Sequence, residues 1–216
     1  VREEVINIIT LLREDNILAD AKDLTAFVKK GENKNRSLNI VESFSRVENY
    51  LYPIFEEEES LFNLKELNED AEFKGFADIN INKIKTIINF WSIKNWIKRQ
   101  YHDNSKNHFA AQYLQPKNKI KEKLEKRHEL AKFIVEHLYE KSSQLKSTEE
   151  SEKDDVLVEF SVHELKTAYD SSFNLFKVNV SIEDIEDTLF YLSRIDAIKI
   201  EGGFLVVYNR LTIERI

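Results

Sequence analysis

The stretch INKIKTIINFWSIKNWIKRQ, residues 81–100, decides the fold, because SIEDIEDTLFYLSRIDAIKI at 181–200 repeats its apolar skeleton with opposite charges. Ile81 corresponds to Ile182, an offset of 101, and the same offset relates Ile84, Ile88, Trp91 and Ile97 to Ile185, Leu189, Leu192 and Ile198. Two segments with one skeleton are expected to share a fold. The chain is therefore predicted to contain a structural repeat.

Each copy of the repeat continues in the same way on both sides. The first copy predicts a strand (LFNL), a helix (KELNEDAEFKG), the 81 helix, and two extended runs, WIKRQ and HFAAQYL, around the polar loop HDNSKN. The second copy, 156–213, predicts VEFS, VHELKTAYDSS, the 181 helix, and then AIKIE and FLVVYN. Gly202 and Gly203 join these last two runs and indicate a two-residue hairpin, because both turn positions need positive φ.

Helices closed by a hairpin are typical of the winged helix, a helix-turn-helix variant. The predicted fold class is mainly α (α+β), with tandem winged-helix units, an N-terminal helical segment and a long connecting helix. Residues 2–58 are predicted to be helical, and the apolar spacing of 120–142 predicts one long amphipathic helix. The expected segments are helical 1–60, a basic winged-helix unit 61–118, the connecting helix 119–145, a flexible linker 146–155 and an acidic winged-helix unit 156–216.

Composition indicates a globular chain without a membrane span. Hydrophobic residues make up 42% and charged residues 33%, and no apolar run is long enough to cross a bilayer. There is no cysteine, which fits a reducing compartment, so we expect a cytoplasmic location. The absence of methionine in a chain that begins with Val1 suggests a fragment of a longer protein, or modified methionines that the sequence does not show.

The formal net charge of −7 hides an asymmetry. Residues 83–132 contain thirteen Lys or Arg and four acids, a net charge of +9, so the remainder carries −16. Glu56–Glu59 form a four-acid run that we interpret as a solvated helix end. A basic segment inside an acidic chain indicates that the two copies contact different partners.

The first copy has the chemistry of a DNA-binding helix. If Ile81, Ile84, Ile87, Ile88 and Trp91 form the buried stripe, then the outward positions of the helix are Asn82, Lys83, Lys85, Thr86 and Asn89. In a major groove, Asn and Thr can bind base edges and Lys can bind phosphates. The hairpin adds candidate backbone contacts at Lys98, Arg99, Lys106 and His108. We therefore expect duplex or forked DNA to bind through residues 81–108, although lysines on an outer helix face often serve only solubility.

The second copy presents acids where the first presents lysines. Its outward positions are Glu183, Asp184, Glu186 and Asp187. Phosphate would repel four carboxylates, and phosphate neutralisation supplies much of the affinity for DNA. We therefore expect these residues to face a protein partner.

Catalytic and metal motifs are missing from the sequence. It has no GxxxxGK[ST] loop, no HExxH, no GxSxG and no cysteine ligand, and its five histidines show no ligand spacing. We therefore predict no catalytic residue, no metal site and no cofactor in this segment.

Several longer strings carry a resemblance to a known family: NIITLLREDNILADAKDLTAFV (7–28), NRSLNIVESF (35–44), NKIKTIINFWSIKNWIKR (82–99), EKLEKRHELAKFIVE (122–136) and FYLSRIDAIKIEGGFLVVYNRLTIERI (190–216). Together they resemble the non-motor region of a long bacterial form of the RecQ-family ATP-dependent DNA helicases. The resemblance covers nearly the whole chain.

The resemblance implies an accessory region that engages duplex DNA or a fork, in a family that acts in DNA repair and recombination. Such helicases carry their ATP site on two RecA-like lobes, followed by a zinc element and one winged helix. The motor and zinc motifs do not occur here, so no ATPase residue is carried over to this chain. A duplicated winged helix departs from the family pattern and leaves the second unit's partner open, either the helicase's own motor or another protein.

Two other function classes stay open. One is a tandem winged-helix interaction module of a chromosome-organising complex, which packing of Lys83 and Lys85 on the 120–142 helix would favour. The other is a replication-initiator-like protein with two winged helices on one DNA site, against which the acidic second helix stands.

Overall fold

The computed structural model describes residues 24–29, 34–76, 78–102, 104, 106–146, 155–172 and 179–201. Six helices occur there: α1 (Lys34–Leu51), α2 (Leu64–Phe73), α3 (Ile81–Ile93), α4 (Lys117–Lys146), α5 (Val162–Ser171) and α6 (Ile182–Arg194). Six strands accompany them: β1 (Leu24–Lys29), β2 (Ser60–Asn63), β3 (Ile97–Tyr101), β4 (His108–Tyr113), β5 (Asp155–Phe160) and β6 (Lys199–Glu201). The predicted mainly α, α+β class is confirmed, and none of these helices is long and apolar enough to span a membrane.

Most predicted elements of the described chain are present. The 120–142 helix lies within α4, and the hairpin strands β3 and β4 fall within one residue of their expected ends. The helical expectation for 2–58 lies outside the described residues at 2–23 and is confirmed over α1. It is wrong after Leu51, where α1 ends, so Glu56–Glu59 lie in the loop before β2 and not at a helix end. It is also wrong at Leu24–Lys29, which is a strand. The reason is tertiary, because both edges of this segment are paired in a sheet. The linker residues 147–154 and the Gly202-Gly203 hairpin lie outside the described residues.

The chain divides into two compact units. One, here called the central unit, is Asn39–Glu129, and the other, the terminal unit, combines Val1–Leu38 with Leu130–Ile216. The first repeat therefore lies in the central unit and the second in the terminal unit.

The central unit packs its helices on a three-stranded antiparallel sheet of order β2-β4-β3. Helix α3 buries Ile84, Ile87, Ile88, Phe90 and Trp91, which matches the predicted stripe except that Ile81 is half-exposed and Phe90 is added. The fully buried Phe55 meets Phe62, Trp91, Phe109 and Tyr113 with ring centroids 4.8–6.4 Å apart. This aromatic cluster fixes α3 against the sheet.

A buried ion pair adds to the core of the central unit. Glu48 and Arg127 are 4% and 6% exposed and bind each other through a carboxylate oxygen and a guanidinium nitrogen. The same Glu48 oxygen accepts a hydrogen bond from Trp91 Nε1 at 3.1 Å. The guanidinium carbon of Arg127 lies 4.8 Å from the ring centroid of Phe90 and 5.0 Å from that of Trp96.

The terminal unit has its own three-stranded antiparallel sheet, of order β5-β1-β6. Strand β1 pairs with both neighbours, and Ala26 at its centre is fully buried. The hydroxyl of Ser37 donates to the carbonyl oxygen of Ala197 at 2.7 Å, which ties the first turn of α1 to the chain before β6. The N-terminal strand is thus built into the same sheet as the second repeat.

Four described elements of the first copy, β2, α2, α3 and β3, have counterparts in the second copy, β5, α5, α6 and β6. Helices α2 and α5 each contain 10 residues, and α3 and α6 each contain 13. Their N-caps fall at equivalent positions, Asn80 for α3 and Ser181 for α6. Past the C-terminus of these two helices, Asn95 and Asp196 both adopt positive φ, 55° and 60°. Since Asp and Asn tolerate the left-handed conformation, the two copies end their helices by the same means.

Candidate nucleic-acid interface

Helix α3 begins at a capped N-terminus. The side chain of Asn80, in extended backbone conformation, accepts a hydrogen bond from the backbone N–H of Lys83 at 3.0 Å. Such a cap satisfies one of the free N–H groups of the first turn. The cap fixes where α3 begins, and the buried residues occupy the side that faces the core. The remaining residues of α3 therefore face outward. Asn82 is exposed, and Lys85, Thr86 and Asn89 are partly exposed.

Lys83 differs from its neighbours because its ammonium is engaged within the central unit. Its Nζ donates to Ser43 Oγ at 2.5 Å and to the carbonyl oxygen of Asp78 at 2.7 Å. It also lies 5.9 Å from the ring centroid of Phe44. These partners are on α1 and in the turn before α3, not on the 120–142 helix. Two of the three N–H donors of the ammonium are therefore used inside the central unit, which leaves at most one for a phosphate.

An ion pair reinforces the same corner. Arg46 donates to Asp78 Oδ2 through Nε at 3.0 Å and through Nη2 at 2.5 Å. The hydrogen bond from Arg46, with smaller help from Ser43, lowers the pKa of Asp78 below its usual value against the opposing effect of burial. Arg46 and Lys83 thus both anchor the start of α3 to α1.

The predicted helix and hairpin residues meet at Asn89 and Arg99. The Nη1 of Arg99, on β3, donates to the side-chain oxygen of Asn89, on α3. The Thr86 hydroxyl instead donates to the carbonyl oxygen of Asn82 at 2.9 Å, inside the helix. The Arg99 bond joins one face of the helix and one face of the hairpin into a continuous polar surface.

The hairpin carries a cation–aromatic cluster that the sequence reading missed. The guanidinium carbon of Arg99 lies 4.6 Å from the ring centroid of Tyr101, and the ammonium of Lys106 lies 5.9 Å from the same centroid. Such contacts orient a long cationic side chain over the ring. The alternation Arg99-x-Tyr101 was the available signal, since residues two apart in a strand share a face.

Lys98 and His108 are placed differently. Lys98 is exposed, and its position next to Arg99 in β3 directs it to the other face of the strand. Asn63 holds the His108 ring, with Asn63 Nδ2 2.8 Å from His108 Nε2. Because the Asn63 oxygen already accepts from the backbone N–H of Lys65, its NH₂ group donates to the imidazole. The cationic side chains on the polar surface formed by α3 and the hairpin are therefore Lys85, Arg99 and Lys106.

In the terminal unit the four predicted acids follow the outward face of α6. Glu183 is exposed, and Asp184, Glu186 and Asp187 are partly exposed. Asp184 also caps the helix, since its Oδ2 accepts from the backbone N–H of Ser181 at 2.8 Å while Ser181 Oγ accepts from the N–H of Asp184 at 3.1 Å. Ile182, the counterpart of Ile81, is half-exposed as Ile81 is, because it is the first residue of the helix.

No protein-family model, no curated protein and no solved structure matches this chain. Among the described residues, no three His, Asp or Glu side chains come together as a group that could hold a metal ion.

Proposed function

We propose that the chain is a DNA-binding accessory region of an ATP-dependent DNA helicase, itself non-catalytic, and that each repeat is a winged-helix unit. The element order of the central unit supports the fold proposal. Helix α1 precedes β2, α2 and α3, the hairpin β3-β4 follows, and β4 returns to lie between β3 and β2. That order is the one expected of a winged helix-turn-helix, in which the last helix before the hairpin enters the major groove.

One observation carries the DNA-binding proposal: the Arg99–Asn89 hydrogen bond joins α3 and the hairpin into one polar surface. On it, Lys85, Arg99 and Lys106 supply phosphate contacts, and Asn82 and Thr86 supply groups able to bind base edges. Acids on α6 are unsuited to phosphate, so the terminal unit would contact the helicase motor or another protein.

Fluorescence anisotropy with labelled duplex, forked and single-stranded DNA across a salt series tests the proposal. The variant is Lys85→Glu/Lys106→Glu, which spares the anchoring residue Lys83. Its control is Lys34→Glu/Lys65→Glu, which makes the same change in net charge at exposed positions of α1 and α2. Lys98→Glu reports separately on the other face of β3.

We expect wild type and the control to bind duplex or fork, with a log–log salt slope of roughly −3 if Lys85, Arg99 and Lys106 each contact one phosphate. The Lys85→Glu/Lys106→Glu variant should lose binding at least tenfold. If the variant and the control lost DNA affinity equally, the effect would be due to net charge alone. A DNA affinity of wild type that did not change with salt would contradict DNA binding. No binding at low salt would leave the interaction module as the better hypothesis.

A further inference from the structure

Strand β2 forms one edge of the central sheet. The order β2-β4-β3 places β4 on one side of it, and among the described residues no strand lies on the other side. Its first half is open to solvent, since Ser60 is exposed and Leu61 is 73% exposed. An edge of this kind offers backbone N–H and C=O groups to any strand that can lie beside it.

The hydrogen bonds to β4 show which residues of β2 direct their backbone groups outward. The N–H of Leu64 donates to the carbonyl oxygen of Asn107 at 2.9 Å, and these two residues continue the register that pairs Phe62 with Phe109. In an antiparallel pair, residues whose backbone groups face the partner strand alternate with residues whose groups face away from it. Phe62 and Leu64 therefore face β4, and Leu61 directs its N–H and its C=O to the free edge.

The side chain of Leu61 makes this edge apolar. Phe62 points into the core, where its ring centroid lies 4.8 Å from that of Phe55, so Leu61 points to the opposite face of the sheet. The other edge strand, β3, carries Lys98 and Arg99, and charged side chains discourage pairing at an edge. Strand β2 contains no charged residue. The β2 edge is therefore the one suited to pairing with another strand.

A second copy of β2 fits this edge by symmetry. In an antiparallel pair centred on Leu61, each Leu61 would exchange two N–H···O=C bonds with its counterpart, and the two exposed side chains would lie side by side. Glu59 would then stand opposite Asn63 of the second copy, and the acids Glu56–Glu59 would run toward the N-terminus of its helix α2, which favours negative charge. A pair centred on Glu59 would instead oppose like charges. One register thus both buries the leucines and separates the acids.

We propose that the central unit forms a two-fold symmetric dimer through β2, which joins two three-stranded sheets into one six-stranded sheet of order β3-β4-β2-β2-β4-β3. The contact is isologous, because each copy contributes the same residues. The paired segment is short, so the association is weak, with a Kd in the micromolar range. Strand β3 lies at both outer edges of the joined sheet, so both hairpins stay open to a ligand.

Cysteine cross-linking of the full chain tests the register, since the chain contains no cysteine of its own. In the proposed pair the two copies of position 61 lie about 5.5 Å apart between Cα atoms, within the reach of a disulfide. Ser60→Cys is the matched control for Leu61→Cys, because Ser60 would stand opposite Phe62 and beyond disulfide reach of its own counterpart. After mild oxidation, non-reducing gel electrophoresis gives the cross-linked fraction. We expect Leu61→Cys to cross-link at least fivefold more than Ser60→Cys, and equal fractions would overturn the proposal.

Analytical ultracentrifugation measures the association without an added cysteine. Wild type should approach twice the mass of the chain over a concentration series up to about 100 µM, as a weak interface requires. Leu61→Lys should weaken the association at least tenfold, because it places like charges opposite each other. Phe73→Lys makes the same change at a side chain that is 90% exposed at the end of α2, and it should dimerise as wild type does.

Three results would overturn the dimer. One is a wild type that stays monomeric over the whole concentration series. Another is a Leu61→Lys variant that dimerises as strongly as wild type, which would place the contact elsewhere. The third is an equal loss of association in Leu61→Lys and Phe73→Lys, which would make the effect one of net charge.

Discussion

At the residue scale, side chains of one type on one helix face have different roles in this protein. Lys83 and Lys85 are two positions apart, yet the Lys83 ammonium is held by Ser43 and Asp78 while Lys85 lies on the outward face. Helical periodicity assigns both to the same arc. The two lysines differ because α1 lies beside Lys83 and not beside the outward face that carries Lys85.

The buried Glu48–Arg127 pair gives a residue-scale prediction. Glu48→Gln should lower the free energy of unfolding of the central unit by about 3–5 kcal/mol, because it leaves the Arg127 charge buried without its counter-ion. The double variant Glu48→Gln/Arg127→Met should be less destabilised than Glu48→Gln alone. Urea unfolding followed by tryptophan fluorescence measures this, since both tryptophans, Trp91 and Trp96, lie in the central unit. A double variant whose loss equals the sum of the single losses would show that the two charges are not coupled.

At the element scale, the two copies share helix lengths, caps and strand registers while differing in surface charge. Both second helices begin at a polar cap and end at a residue with positive φ. The apolar positions and caps determine where a helix forms, and the outward positions are free to vary. One backbone arrangement can therefore present lysines in the central unit and acids in the terminal unit.

The N-cap of α3 gives the element-scale prediction. Asn80→Ala should destabilise the central unit by about 1 kcal/mol, because the backbone N–H of Lys83 loses its acceptor. Asn80→Ser, which keeps a capping oxygen, should retain most of the stability. The comparison uses urea midpoints from tryptophan fluorescence. If the alanine and serine variants were equally destabilised, the cap would not be the cause.

At the scale of the whole molecule, both units contain carboxylates whose pKa is lowered by cationic partners. In the central unit, Lys74 and Tyr50 lower the pKa of Asp70, and Arg46 lowers that of Asp78. In the terminal unit, burial alone would raise the pKa of Glu164, but Lys141 and His137 outweigh it and the pKa is lowered. The acidic chain thus relies on specific ion pairs in both units.

These shifts predict loss of stability in acid. A carboxylate with a lower pKa in the folded state stabilises the fold fully above its unfolded pKa, 3.8 for Asp and 4.5 for Glu, and loses that contribution as pH falls through the folded value. Urea midpoints should therefore be flat near pH 7 and fall below about pH 4.5. Asp78→Asn should lower the midpoint of the tryptophan transition at pH 7 and have less effect at pH 3. An equal effect at both pH values would contradict an ionic role for Asp78.

The sequence by itself determined the repeat, the boundaries of most helices and the outward faces of α3 and α6. Apolar spacing and capping residues are local signals, and both copies carry them at constant offsets. The tertiary structure decided what depends on distant neighbours: the anchoring of Lys83, the burial of Glu48 with Arg127, and the choice of Leu24–Lys29 as a central strand. The residues of LTAFVK do not by themselves distinguish a helix from a strand. Its conformation follows from pairing with β5 and β6, which lie more than 120 residues away in the chain.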